Sequence, residues 1–308
     1  MQTALIGLGT MGPGIAATLS RGGIAVKAFD PQPAAVERAR AGLTVARGVL
    51  DRLGVRAPAG GEGPVEFCTD LEAAVAGATF VIENVPERFE VKAEVYRALD
   101  PLIGPDVIVA TDTSGIPITK LQSQISHPAR FVGMHWSNPP HIIPMIEVIG
   151  GEATAPETVE AVVQLIRRLN LLPVVVKKDV PGFVENRVLY ALLREVVALV
   201  EDGVIEPADI DTCVSWGIGY KLGIVGPMAL LDMAGLDIYQ SVSSFLNQEL
   251  STRGDVADFV LDRTRQGKLG IKSGGGVYDY TPERILELQA DRANKFVAIR
   301  RVLEGRAS

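Results

Sequence analysis

The sequence predicts an α/β fold: a doubly wound parallel sheet domain followed by an all-helical C-terminal domain. Three observations carry this expectation. Short apolar runs alternate with amphipathic segments in the first part, a glycine-rich turn directly follows the first run, and beyond residue 179 apolar residues recur at helical rather than strand spacing.

The expected strands are, in order, Ala4 to Gly7, Ile24 to Phe29, Phe80 to Glu83, Val107 to Ala110 and Arg130 to Met134, with one more over Leu172 to Lys177. Runs of this kind separated by helical segments make a parallel sheet covered on both faces. The pattern changes after Lys178-Asp179-Val180-Pro181-Gly182, where Val188, Leu192, Val196 and Val200 follow helical spacing. The domains are therefore expected at 1–179 and 180–308. A last long helix is expected from Thr281 and Pro282, which suit a helix start, with Ile285, Leu288, Arg292, Phe296, Ile299 and Leu303 stepping along it.

At 308 residues the chain has enough length to bury a full core. Hydrophobic residues at 47% and charged residues at 22% are average globular usage, and a formal charge of -7 argues against a nucleic-acid partner. No apolar run is long enough to span a bilayer, and the start runs into a strand without the pattern of a secretory leader; no membrane partner and a cytoplasmic location are expected. Cys68 and Cys213 stand apart and none of the three histidines is paired at metal-ligand spacing, so no metal is expected.

Gly7-x-Gly9-x-x-Gly12 follows the first strand and opens a helix that includes Ile15 and Leu19. The first glycine permits a tight turn, the second lets a pyrophosphate approach the backbone, and the third allows close helix packing, while the helix N-terminus attracts the anion. Asp30 ends the second strand, about where an acid meets ribose hydroxyls. Its charge repels a 2'-phosphate and Pro31-Gln32-Pro33 offers no arginine to accept one, so NAD is the expected cofactor and the sheet is expected to be Rossmann-like. The alternative is a glycine turn that packs tightly and binds nothing.

Taking an alcohol proton as hydride leaves needs a base with a pKa near the working pH, the usual task of histidine. His127, before Pro128 in a polar stretch, reads as a solvated loop residue, and His141 either lines a substrate pocket or caps a turn. His135 follows the strand that ends at Met134, where the carboxyl edge of a parallel sheet presents side chains to the crevice. Glu147 lies in the apolar run Met145-Ile146-Glu147-Val148-Ile149, where a charge is costly unless paired. Pairing with His135 would fix the imidazole tautomer; alternatively Glu147 points outward from a half-buried strand.

Taken in order, the motifs resemble the 3-hydroxyacyl-CoA dehydrogenase family over nearly the whole chain. Gly7 to Ala16 resembles its cofactor loop, Thr113-Ser114 its serine motif, and His135-Trp136-Ser137-Asn138-Pro139 its H-x-x-N-P segment. Asp179 to Arg187 resembles its domain junction, and Gly226 to Asp232 and Lys272-Ser273-Gly274-Gly275-Gly276 complete the set. The resemblance implies that His135 is the acid/base, that Glu147 orients it, and that Ser114 and Asn186 bind around the reacting oxygen and carbonyl. It assigns Gly7, Gly9, Thr10, Met11, Gly12, Asp30, Glu87, Lys92, Ser114, Asn138 and Lys272 to the cofactor. It also implies a C-terminal domain that closes the substrate cleft and forms a homodimer, with Leu189, Leu192 and Val196 packing either internally or across the dimer.

Two departures bear on the substrate, which is expected to be a small molecule. CoA-using members carry two aromatics after the histidine, whereas this chain has Trp136-Ser137, and the segment through Pro140, Ile143, Pro144 and Glu147 resembles the branch acting on small free substrates. After Asp30 the lysine-rich pattern of CoA-using relatives is absent, with Ala46 and Leu53 at contact positions and Asp51 nearby; fewer cations weaken a site for several phosphates. The resemblance thus implies hydride transfer between NAD and a small carboxylate-bearing substrate, with a pyridine aldehyde as the specific expectation. An aldehyde hydrate is a geminal diol, so His135 can take a hydroxyl proton from it as from an alcohol, and reverse transfer to a second aldehyde makes a dismutation. The alternatives are a 3-hydroxyacyl-CoA dehydrogenase, a gulonate-type 3-hydroxy acid dehydrogenase and a non-catalytic NAD-binding protein, the last opposed by the joint presence of His135, Glu147, Ser114 and Asn186.

Overall fold

The computed structural model describes residues 1–305 and divides the chain into two compact units, Met1–Arg187 and Val188–Ser308. The first unit is built on an eight-stranded sheet of β1 Gln2–Ile6, β2 Ala25–Phe29, β3 Val65–Phe67, β4 Phe80–Glu83, β5 Ile108–Thr111, β6 Phe131–Trp136, β7 Met145–Gly150 and β8 Leu172–Val176. Between them run α1 Gly12–Arg21, α2 Pro33–Arg52, α3 Leu71–Val75, α4 Phe89–Leu99, α5 Ile118–Gln122 and α6 Pro156–Arg168. Ala4, Leu5, Val81, Ile82, Val109 and Ala110 lose nearly all exposure, as central strands buried on both faces require.

The strand order is β3-β2-β1-β4-β5-β6-β7-β8. Because the chain passes outward from β1 to β3 and then returns to place β4 on the other side of β1, a crevice opens beyond the carboxyl ends of β1 and β4, where ligands of doubly wound sheets bind. The six expected strands are all present. Two more complete the sheet: β3, too short for periodicity to declare, and β7, which the sequence offers only as an apolar run around Glu147.

β7 runs antiparallel to β6, so the sheet is not wholly parallel as expected. The link from Ser137 to Pro144 is too short for a parallel crossover, which needs about a dozen residues, and suffices for an antiparallel return. The antiparallel register sets His135 directly opposite Glu147.

The compact units divide at Arg187, a few residues beyond the expected boundary at 179. Phe183 is fully buried in the core of the first unit beside Phe131, Ile118 and Val176, which keeps the segment after Pro181 with the sheet. From there α7 Glu185–Glu201 leads into the second unit, which continues with α8 Pro207–Thr212, α9 Tyr220–Leu222, α10 Pro227–Ala234, α11 Leu236–Glu249, α12 Asp258–Arg265 and α13 Pro282–Leu303. Among its described residues only isolated bridges at Gly270, Gly275 and Asp279 interrupt the helical character. Thr281 caps α13 by accepting a hydrogen bond from the Arg284 N–H at 3.2 Å, the expected helix start. Among the described residues no single helix is long and apolar enough to cross a membrane.

Candidate active site

The turn from β1 into α1 is shaped by close backbone approach. Gly7 has φ +98°, and a Cβ there would sit 2.4 Å from the Asn84 carbonyl oxygen; a Cβ at Gly12 would sit 2.9 Å from the Gly7 carbonyl oxygen. Gly9 differs, since a Cβ there meets nothing within 4 Å. The second glycine therefore faces open space, the room a pyrophosphate needs. Thr10 beside it is exposed, and Met11 stands at the N-cap without a side-chain cap or an acid in the first turn, so the first N–H groups of α1 remain available to an anion. Asp30 is fixed by the N–H groups of Leu8 at 2.8 Å and Gln32 at 2.9 Å, one on each carboxylate oxygen, and keeps lone pairs for ribose hydroxyls. These residues fit a dinucleotide.

A fully buried ion pair supports the crevice floor. Glu83, ending β4, accepts from Lys92 Nζ at 2.8 Å, Tyr96 Oη at 2.5 Å, Thr111 Oγ1 at 2.8 Å and the Val85 N–H at 2.7 Å. Four donors on one carboxylate are the condition under which a buried charge persists. Lys92 is wholly enclosed and also lies 3.5 Å from Glu87, whose other oxygen accepts from Thr113 Oγ1 at 2.6 Å and the N–H groups of Ser114 at 2.9 Å and Gly115 at 3.0 Å. Of the two residues expected at the cofactor, Glu87 thus shapes the turn after β5 and Lys92 holds Glu87 and Glu83 from below.

His135 and Glu147 meet as neighbours across β6 and β7, Nδ1 to Oε2 at 2.8 Å, with exposures of 6% and 1%. The outward-pointing alternative for Glu147 is thereby excluded. The second Glu147 oxygen accepts from the N–H groups of Val184 at 3.0 Å and Glu185 at 3.1 Å, so the start of α7 completes its shell. Burial opposes the Glu147 charge, but the His135 hydrogen bond and the two backbone donors outweigh it and lower its pKa. For His135, burial disfavours the imidazolium; the Glu147 hydrogen bond and the charges of Asp112, Glu147 and Glu185 overcome this and raise its pKa above 6.5. With Nδ1 engaged, Nε2 is the nitrogen left to exchange a proton with a substrate.

Around this pair stand the other predicted residues of the first unit. Ser114 is exposed at the turn after β5, and Asn186 donates from Nδ2 to the Ser114 carbonyl oxygen at 2.6 Å, bringing the two together. Asn138 is exposed and precedes a cis peptide to Pro139. His127 is exposed, as expected. His141 packs with Pro140 on the first turn of α1, so closely that a Cβ at Gly14 would meet His141 Nδ1 and Pro140 Cγ at 2.7 Å each; burial lowers its pKa to about 4, leaving it neutral. Lys272 belongs to the second unit, in the short turn Ile271–Ser273. Ala46 and Leu53, which stand where CoA-using relatives are expected to carry contact residues, are core residues here, each 2% exposed, and the α2 acid Asp51 pairs with Arg21 at 2.7 Å.

Two acids escaped the sequence reading. Asp112, after β5, accepts from the Trp136 N–H at 2.8 Å, and burial pushes its carboxyl up to about 8 despite that bond and nearby His135 and Lys92. Glu185 accepts from Ser137 Oγ at 2.5 Å. His135, Glu147 and Glu185 each offer one ligating atom within 4.8 Å of the other two. No local pattern announces either acid, although Glu185 lies inside a motif already singled out.

The family model for the NAD binding domain of 3-hydroxyacyl-CoA dehydrogenase matches residues 2–180, and the model for its C-terminal domain matches residues 182–280. The 5-formyl-3-hydroxy-2-methylpyridine 4-carboxylate 5-dehydrogenase of Mesorhizobium japonicum is 68% identical over 303 residues, 98% of this chain and 98% of that protein. An L-carnitine dehydrogenase of Burkholderia mallei is 37% identical over 232 residues, 75% of this chain and 72% of that protein. A solved structure of 5-formyl-3-hydroxy-2-methylpyridine 4-carboxylic acid 5-dehydrogenase, an NAD+ dependent dismutase, is similar with a TM-score of 0.98 at 68% identity, covering 99% of each chain.

Proposed function

The chain belongs to the 3-hydroxyacyl-CoA dehydrogenase family and is an NAD-dependent oxidoreductase, and we propose that its substrate is 5-formyl-3-hydroxy-2-methylpyridine 4-carboxylate. The observation that carries the substrate is the 68% identity to a dehydrogenase of that aldehyde over 98% of both chains. The polar pair Ser137–Glu185 beside His135 supports it, because a small polar substrate needs hydrogen-bond partners where an acyl chain needs an apolar wall.

In this reading the first domain, taken as 1–179, holds NAD: Gly9 and the N-terminus of α1 face the pyrophosphate, Asp30 the ribose, and Glu87 and Lys92 support the turn that carries Ser114. Bound NAD supplies a hydride acceptor, and NADH a donor. His135 Nε2 takes the hydroxyl proton of the aldehyde hydrate during oxidation and returns a proton to the carbonyl oxygen during reduction. Glu147 holds the tautomer that leaves Nε2 free and stabilises the imidazolium. Ser114 and Asn186 orient the reacting oxygen. Both directions used in turn make the protein a dismutase. We further infer a homodimer, supported by large exposed apolar side chains in the second unit, and a cytoplasmic location, where NAD is available.

The test follows NADH absorbance with purified protein and NAD, offering the pyridine aldehyde and 3-hydroxybutyryl-CoA in parallel at equal concentration. Turnover of the aldehyde alone supports the proposal. Turnover of the CoA ester alone overturns it in favour of the acyl-CoA activity.

A further inference from the structure

An alcohol brings one hydroxyl to a dehydrogenase, and His135 with Glu147 suffices for it. A hydrated aldehyde brings two. The second hydroxyl needs an acceptor of its own, because a donor buried without one forfeits its bonds to water. Glu147 is enclosed, at 1% exposure, and three donors already hold it: His135 Nδ1 on one oxygen and the N–H groups of Val184 and Glu185 on the other.

Glu185 does have capacity. One of its oxygens accepts from the buried Ser137 Oγ at 2.5 Å, which anchors the carboxylate to the end of β6, and the other makes no hydrogen bond among the described residues. Its backbone N–H on Glu147 fixes the first turn of α7 against the same site. A ligating atom of Glu185 lies within 4.8 Å of those of His135 and Glu147, which brings a third acid/base group to the same pair. Glu185 is only partly buried and so remains open to a ligand.

We propose that Glu185, anchored by Ser137, accepts the second hydroxyl of a geminal diol and so makes the hydrated aldehyde the form that this site oxidises. The inference rests on the aldehyde reading above. In the balanced step, the first O–H bond breaks and its proton passes to His135 Nε2, while the C–H hydrogen leaves with its electron pair as hydride to the oxidised cofactor. The carbon gains a C=O bond and keeps the second oxygen as an acid hydroxyl. That hydroxyl gives its proton through Glu185 to water, leaving a carboxylate. Two like charges then face each other, which favours product release.

The reductive direction separates this role from mere support of His135, because reducing a free aldehyde involves one oxygen only. The experiment measures kcat/KM of Glu185→Gln for aldehyde with NAD and for aldehyde with NADH. The expected result is a fall of tenfold or more in the ratio of oxidation to reduction. Loss of the Glu185 charge works the other way through His135, lowering its pKa and favouring the base form that oxidation needs. Ser137→Ala, which keeps the carboxylate and removes its anchor, is expected to lower the ratio by a smaller factor and provides the test should the first variant misfold. An unchanged or increased ratio in the folded variant overturns the proposal. Absence of both reactions in the unsubstituted protein overturns the substrate reading instead.

Discussion

In the proposed mechanism a neutral imidazole serves oxidation and an imidazolium serves reduction, so the pKa of His135 would set the balance between the two directions. Burial pulls that pKa down, and the Glu147 hydrogen bond with the charges of Asp112, Glu147 and Glu185 pulls it up further, leaving it above 6.5. Oxidation should therefore rise with pH through an inflection above 6.5 while reduction falls through the same inflection; kcat/KM profiles from pH 5.5 to 9.5 check this. Glu147→Gln removes the largest upward contribution and should move both inflections down. His135→Gln should lower turnover by about a hundredfold or more while NADH affinity, read by fluorescence titration, changes little; unchanged turnover would remove the acid/base assignment. Asp112 carries a prediction on stability. Its folded pKa of about 8 lies above the ordinary carboxyl value, so its contribution to stability is fully present below about pH 4 and is lost as pH rises through about 8. Asp112→Asn keeps an acceptor for the Trp136 N–H and sheds the titration. Its Tm should match the unsubstituted protein near pH 4 and exceed it by at least about 2 °C at pH 9.

At the scale of elements, what was legible in the sequence was what local pattern encodes. The glycine turn, Asp30 at the end of β2 and the apolar strands can be read because each depends on residues close in the chain. β3 could not be read, since three residues hold no period. The pairing of His135 with Glu147 was legible only as one of two options, because strand alternation leaves the facing partner open until register is fixed. Asp112 and Glu185 acquire their meaning from Trp136 and Ser137, residues distant in sequence. The β1–α1 turn offers a contrast that checks its reading. Gly9→Leu fills open space, so it should leave Tm nearly unchanged and weaken NADH binding tenfold or more. Gly7→Ala combines positive φ with a clash on Asn84 and should cost roughly 1–3 kcal/mol of stability or more. Calorimetry and cofactor titration on the two variants separate the effects, and equal loss of stability in both would contradict the open space at Gly9.

Over the whole molecule, the two units dispose of apolar surface differently. The first encloses Leu5, Ile82, Val109 and Phe183 almost completely, whereas the second leaves Trp216, Tyr220, Met228 and Met233 largely exposed. Scattered apolar residues on a surface need no explanation, whereas many large ones on one helical unit make a surface suited to association. Trp216 and Tyr220 stack with ring centroids 6.3 Å apart, so they present one aromatic patch rather than two isolated side chains. Leu189, also exposed, adds to this unpartnered area, while Leu192 and Val196 are half-buried within α7. If the second unit carries the dimer contact, sedimentation at micromolar concentration should give about twice 32.8 kDa. Replacing Trp216 and Tyr220 together by Glu introduces two desolvated charges into such a contact and should shift the species toward the monomer, since an unpaired buried charge costs several kcal/mol. NADH binding should survive that change, because the cofactor turn and Asp30 lie in the first unit. A monomer in the unsubstituted protein would show that this apolar surface serves something other than self-association.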